Sequence, residues 1–99
     1  MPKLAIPVRF RALGTEPFWG AQISGEMLTY TTPDDSKGQH AALTRRDQTN
    51  GAEFSGKLGG SAIHLAVTRA ACSDGMSDRS YPFTVVLTLG SERREGCAL

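Results

Sequence analysis

Turn-forming residues interrupt this chain at intervals of roughly 8–12 positions, and no segment between them keeps a helical period. Ser24-Gly25, Asn50-Gly51, Gly59-Gly60 and Gly90-Ser91 each separate short β-rich runs. The Asn-Gly pair is a strong hairpin signal, because both residues tolerate the positive φ of a tight turn. The runs alternate in character. Val8, Phe10 and Ala12 share one face of PVRFRAL, with Arg9 and Arg11 on the other. Ile63, Leu65 and Val67 alternate with His64, Ala66 and Thr68, and Phe83, Val85, Leu87 and Leu89 share a face of YPFTVVLTL.

With EPFWGAQI, EMLTYTT, QHAALTRR, AEFSGKL and ERREGCAL, these runs make about eight strands, an all-β reading. Residues 33–38 are a loop by composition, and GQHAALTRRD is the only stretch with a competing helical reading. Parallel strands need crossovers of roughly a dozen residues, for which the short connections leave no room. The sheet is therefore expected to be antiparallel. In a single domain spanning residues 1–99, eight such strands close most economically into a small antiparallel β-barrel, which removes exposed edges. A two-sheet β-sandwich is the alternative.

Charge argues against nucleic acid as a partner. Eleven Lys+Arg face ten Asp+Glu, and the pairs Arg45-Arg46 and Arg93-Arg94 read as solvated strand ends. No apolar run approaches the roughly 18 residues of a membrane helix, so no transmembrane segment is expected. MPKLAIPVRF lacks the apolar stretch and small-residue cleavage site of a signal peptide, so any export signal is expected to be absent from this chain.

Cys72 and Cys97 are too few for a zinc site without His40 and His64, and no CxxC or HxxxH spacing brings those in. They read as one disulfide, which implies an oxidising compartment. Two reduced, buried thiols are the alternative. In an eight-stranded barrel the two cysteines flank the intervening strand at roughly 9–10 Å, beyond the ~7 Å that a bridge spans. The loop after Ala71 must then bend Cys72 across that strand, as a tied-down cap on the barrel end.

The stretch CSDGMSDRSYPF concentrates polar chemistry. Asp74 and Asp78, beside Ser73 and Ser77, offer oxygen ligands, but a calcium loop needs more of them in a different register. Turn chemistry alone explains these residue types, with Arg79 able to pair with either acid. No metal or cofactor is expected. Met76 at the loop tip is either folded back or an adaptable contact for a protein partner. In Glu16-Pro17-Phe18-Trp19, alternation sends the two aromatics to opposite faces. Trp19 then either plugs the structure under the Cys72 loop or, with Tyr30 and Tyr81, edges a binding groove with Glu16 at its mouth. Serines are plentiful, but no G-x-S-x-G frame accompanies them, and His64 is expected to point outward.

Gly14–Trp19 (GTEPFW), Cys72–Phe83 (CSDGMSDRSYPF) and the distant Gly96-Cys97 together resemble a family of small bacterial envelope proteins. Its members are periplasmic or predicted lipoproteins. The family's usual first motif is G-N-E-P-F-W, so Thr15 departs from it. The resemblance covers Phe10 through Cys97 and implies an exported domain with paired cysteines, but no particular reaction. More loosely, the architecture resembles the small barrels of bacterial lysozyme inhibitors, which present polar loops to an enzyme's cleft.

The expectation is a non-enzymatic envelope binding module. Its contact surface is the barrel end made by the Cys72–Arg79 loop and the Glu16–Trp19 segment. Its partner is a protein or small molecule of the envelope, with inhibition of a cell-wall hydrolase as one concrete form. The competing reading is a small hydrolase or metal-dependent enzyme built on Asp74, Asp78 and a histidine.

Overall fold

A computed structural model describes residues 5–15, 18–73, 75 and 79–99. Eight strands close into one antiparallel barrel: β1 (Arg9–Thr15), β2 (Phe18–Ser24), β3 (Met27–Thr32), β4 (Asp35–Gln48), β5 (Gly51–Leu58), β6 (Ser61–Thr68), β9 (Phe83–Leu89) and β10 (Glu92–Ala98). Between β6 and β9 the chain forms a separate two-stranded ribbon, β7 (Cys72–Ser73) and β8 (Ser80–Tyr81). The order around the wall is β1-β10-β9-β6-β5-β4-β3-β2, and no described residue is helical. The sandwich alternative falls away.

Turn chemistry positions most of the strands. Gly59 and Gly60 both hold positive φ (58° and 85°), which a two-residue hairpin turn of this kind requires. The expected loop over residues 33–38 is shorter than its composition suggested, since only Pro33 and Asp34 turn. Strand β4 starts at Asp35, where the register with β3 shifts between Tyr30 and Thr32. The ambiguous GQHAALTRRD lies wholly within β4, because pairing on both sides outweighs its weak helical pattern.

Alternate residues of every barrel strand fill the interior. Leu28, Phe54, Leu65, Val85 and Leu87 are fully buried, with no buried polar side chain among them. At the end where β1 begins, Ile6 enters the barrel and is also fully buried. Arg45 fixes it there. This residue pairs across the sheet with Phe54 and therefore faces inward. Its guanidinium donates to the carbonyls of Ile6 and Pro7, lies 5.3 Å from the Phe54 ring centroid, and pairs with Asp47 at 2.8 Å.

Two of the four arginines read as solvated ends are thus something else. Arg45 is a clamp on the N-terminal segment, whereas Arg46 is exposed. Arg94 lies opposite Leu87 on the inner face at the other barrel end, half-buried and paired to Glu92 at 2.9 Å, whereas Arg93 is exposed.

Gly14 and Trp19 of the GTEPFW motif explain each other inside the barrel. Trp19 is buried and stacks on Tyr30 with ring centroids 6.4 Å apart, while Phe18 faces out, 54% exposed. A Cβ on Gly14 would sit 2.6 Å from Trp19 Cδ1 and Cε2, and a Cβ on Gly96 would sit 2.8 Å from Cζ2. The two glycines leave the slot that the indole occupies. Gly14 and Trp19 of the first motif and the distant Gly96 therefore belong to one packing arrangement.

Candidate functional site: a groove on the outer wall

Cys72 and Cys97 are bonded, with Cα atoms 5.5 Å apart. The loop does carry Cys72 across the intervening strand, as the spacing argument required. Thr84 on the outer face of β9 donates to Ala70 O at 3.1 Å and marks the crossing. The expected end cap is not what results. Cys97 pairs in register with Thr84 and Leu13, whose side chains face outward, so the bridge lies on the outer wall of β10. The ribbon over it pairs Cys72 with Tyr81 and Ser73 with Ser80. It covers the wall rather than closing the barrel end.

The site residues expected from sequence distribute as follows. Glu16, Asp74, Met76 and Asp78 lie outside the described residues. Trp19 and Tyr30 lie on the inner face of the barrel and Tyr81 on the ribbon outside it, so the three do not edge one common groove. Trp19 plugs the interior, separated from the Cys72 ribbon by the barrel wall. Tyr81 sits on the ribbon, with the Arg79 guanidinium 5.1 Å from its ring centroid. Tyr30 lines a recess of about 420 Å³ at the barrel mouth, together with Phe18, Thr32, Pro33, Asp34 and Arg94. The expected joint surface of loop and Glu16–Trp19 segment is not formed by the residues described, because Trp19 faces in while the ribbon lies outside.

Arg79 instead belongs to a larger groove of about 640 Å³ between the ribbon and the outer faces of β1 and β2. Strand alternation supplies its walls. Arg9, Arg11 and Leu13 are successive outward positions of β1, and Gln22 and Ser24 are outward positions of β2. Arg9 and Arg11 are exposed and make no ion pair with any described residue. No Asp or Glu side chain is among the described residues lining the groove. Arg9 and Arg11 thus place two guanidinium groups without a described ion pair in one concavity of a chain whose net charge is only +1, which makes this part of the groove a local focus of positive potential.

Sequence reasoning put Arg9 and Arg11 on the polar face of the first strand but did not single them out. Charged residues on a strand's outer face are ordinary, and only the folded-over ribbon makes a groove of them. The histidines stay local. His40 Nδ1 lies 3.1 Å from Thr29 Oγ1, and His64 faces outward as expected, with Nε2 3.8 Å from Glu53 Oε1. Among the described residues no three His, Cys, Asp or Glu side chains gather as metal ligands would.

Compared with family models, with curated proteins and with solved structures, the chain finds no match in any of the three.

Proposed function

We propose that this protein is a non-catalytic binding module of the bacterial envelope, with the arginine-lined groove beside the disulfide-anchored ribbon as its contact surface. The exposed guanidinium groups of Arg9 and Arg11, side by side in one concavity, carry the reading. The Cys72–Cys97 bridge supports an oxidising compartment such as the periplasm, since such bonds persist there and are rare in the cytosol. The groove's ligand is anionic, because guanidinium groups pair carboxylate or phosphate oxygens in a fixed fork geometry. Inhibition of a cell-wall hydrolase is a concrete form of this function. Glycoside hydrolases carry paired catalytic carboxylates in a cleft, and the guanidinium groups of Arg9 and Arg11 complement such a pair in charge.

The test is an amide chemical-shift titration with pentaglutamate at low salt, on the wild type and on the double variant Arg9→Ser/Arg11→Ser. The expected result is saturable shifts on β1, β2 and residues 79–81, weakened by added salt and lost in the variant. Absence of localised shifts in the wild type, or equal binding by the variant, refutes the proposal.

A further inference from the structure

The two ends of the barrel differ. Ile6, held by Arg45, fills the end where β1 begins. At the opposite end, where β1 finishes and β10 starts, lies the recess of about 420 Å³. That size falls within the ~300–1,000 Å³ of small-molecule sites, and the mouth of a barrel is one of their usual positions.

The floor of the recess is Tyr30, stacked on Trp19 and only 8% exposed. Among the described residues its hydroxyl has no hydrogen-bond partner, and no sealed-in side-chain oxygen goes without one, so this hydroxyl opens into the recess. Arg94 enters from β10, with β1 and β2 between it and the strand of Tyr30. Its guanidinium is half-buried, and the bond to Glu92 engages Nη2 alone of its three nitrogens. Asp34 sits at the turn between β3 and β4, and its carboxylate makes no ion pair or hydrogen bond with a described residue. The Phe18 ring, 54% exposed, and Pro33 give the same recess an apolar wall.

We propose that this mouth recess binds a small zwitterion with an apolar side chain, of the free α-amino-acid class. The Arg94 guanidinium and the Tyr30 hydroxyl donate to its carboxylate, and Asp34 accepts from its ammonium group. Its side chain lies against Phe18 and Pro33. Either end of a peptide offers only one of these charges, and a neutral ligand offers neither. The site is separate from the arginine-lined groove, whose Arg9 lies towards the other barrel end, and does not depend on it.

The probe is L-phenylalanine, titrated into the labelled protein beside two analogues. N-acetyl-phenylalanine lacks the ammonium group, and phenylalanine amide lacks the carboxylate. The expected result is saturable amide shifts at Phe18, Thr32, Asp34 and Arg94, with either analogue bound about tenfold or more weakly. Asp34→Asn should weaken L-phenylalanine by about tenfold and leave the N-acetyl form within about twofold. Arg94→Gln should weaken L-phenylalanine likewise without weakening the amide. Tyr30→Phe, which keeps the packed ring, should weaken it by about threefold or more. No saturable shift at the mouth up to about 10 mM ligand overturns the proposal. Equal affinity for L-phenylalanine and either analogue also overturns it, the N-acetyl form then standing for the C-terminal end of a peptide.

Discussion

The slot shared by Gly14, Trp19 and Gly96 can be tested by filling it. In Gly14→Ala the new methyl group lands 2.6 Å from two atoms of the Trp19 indole and nearer still to Nε1. The ring has little room to yield, with Tyr30 stacked against it and Gly96 alongside. Overpacking a filled core costs about 1–3 kcal/mol, and a rigid ring as obstacle puts this substitution at about 2–3 kcal/mol. For a domain of this size that lowers Tm by roughly 8–24 °C. Trp19→Leu removes the obstacle but leaves a cavity, at a cost of about 3 kcal/mol.

If the indole is the reason for the glycine, Gly14→Ala should cost almost nothing in the Trp19→Leu background, a coupling of about 2 kcal/mol. Gly96→Ala behaves differently. Its methyl group also meets the Leu13 peptide group, with the carbonyl carbon 2.9 Å away, so Trp19→Leu should not rescue it. Urea unfolding followed by far-ultraviolet circular dichroism measures all six proteins without relying on the single tryptophan. Additive costs for Gly14→Ala and Trp19→Leu, within about 0.5 kcal/mol, would refute the packing argument.

Other expectations follow from the same structure. The Cys72–Cys97 bridge spans 25 residues, so reduction should cost about 3.5 kcal/mol by chain entropy, and the oxidised protein should show no thiol labelling. Equal melts with and without reductant would contradict this. Arg45→Leu should cost about 2–3 kcal/mol and expose the N-terminal segment to proteolysis, whereas Arg46→Leu should stay within about 0.5 kcal/mol. Phe18→Ser should likewise change stability by less than about 0.5 kcal/mol, while Trp19→Ala should cost about 3–5 kcal/mol in the same unfolding assay.

What was legible in the sequence is what alternation and turns encode. Gly59-Gly60 ends β5 as drawn from sequence, and the inward set of Phe83, Val85, Leu87 and Leu89 is the observed one. The turn expected at Asn50-Gly51 falls one residue earlier, at Thr49-Asn50, with Gly51 already paired in β5. Strand β10 carries no such pattern. In ERREGCA only parity relative to β9 reveals that Arg94 and Gly96 face in while Cys97 faces out. The side on which the disulfide lies was accordingly hidden, and with it the outer-wall position of the ribbon. Arg45 was misread for a related reason. An inward arginine at a barrel end has the same sequence signature as a solvated one, and only the buried Ile6 distinguishes them. The groove depends on two segments far apart in sequence, residues 9–24 and Arg79, that no local pattern connects.

The seam between β1 and β10 also bears on how quickly the barrel assembles. It joins Ala12 to Ala98, positions 86 residues apart, whereas most other barrel pairings join strands consecutive in the chain. Closing so long a loop costs about 4 kcal/mol from (3/2)RT ln n. The disulfide shortcut from Cys72 to Cys97 reduces the effective loop to roughly 60 residues, which lowers that cost by only about 0.3 kcal/mol. Reduction should therefore slow seam closure by less than about twofold. The larger stabilisation by the bridge, about 3.5 kcal/mol, comes from closing its own 25-residue loop and not from shortening the path to the seam.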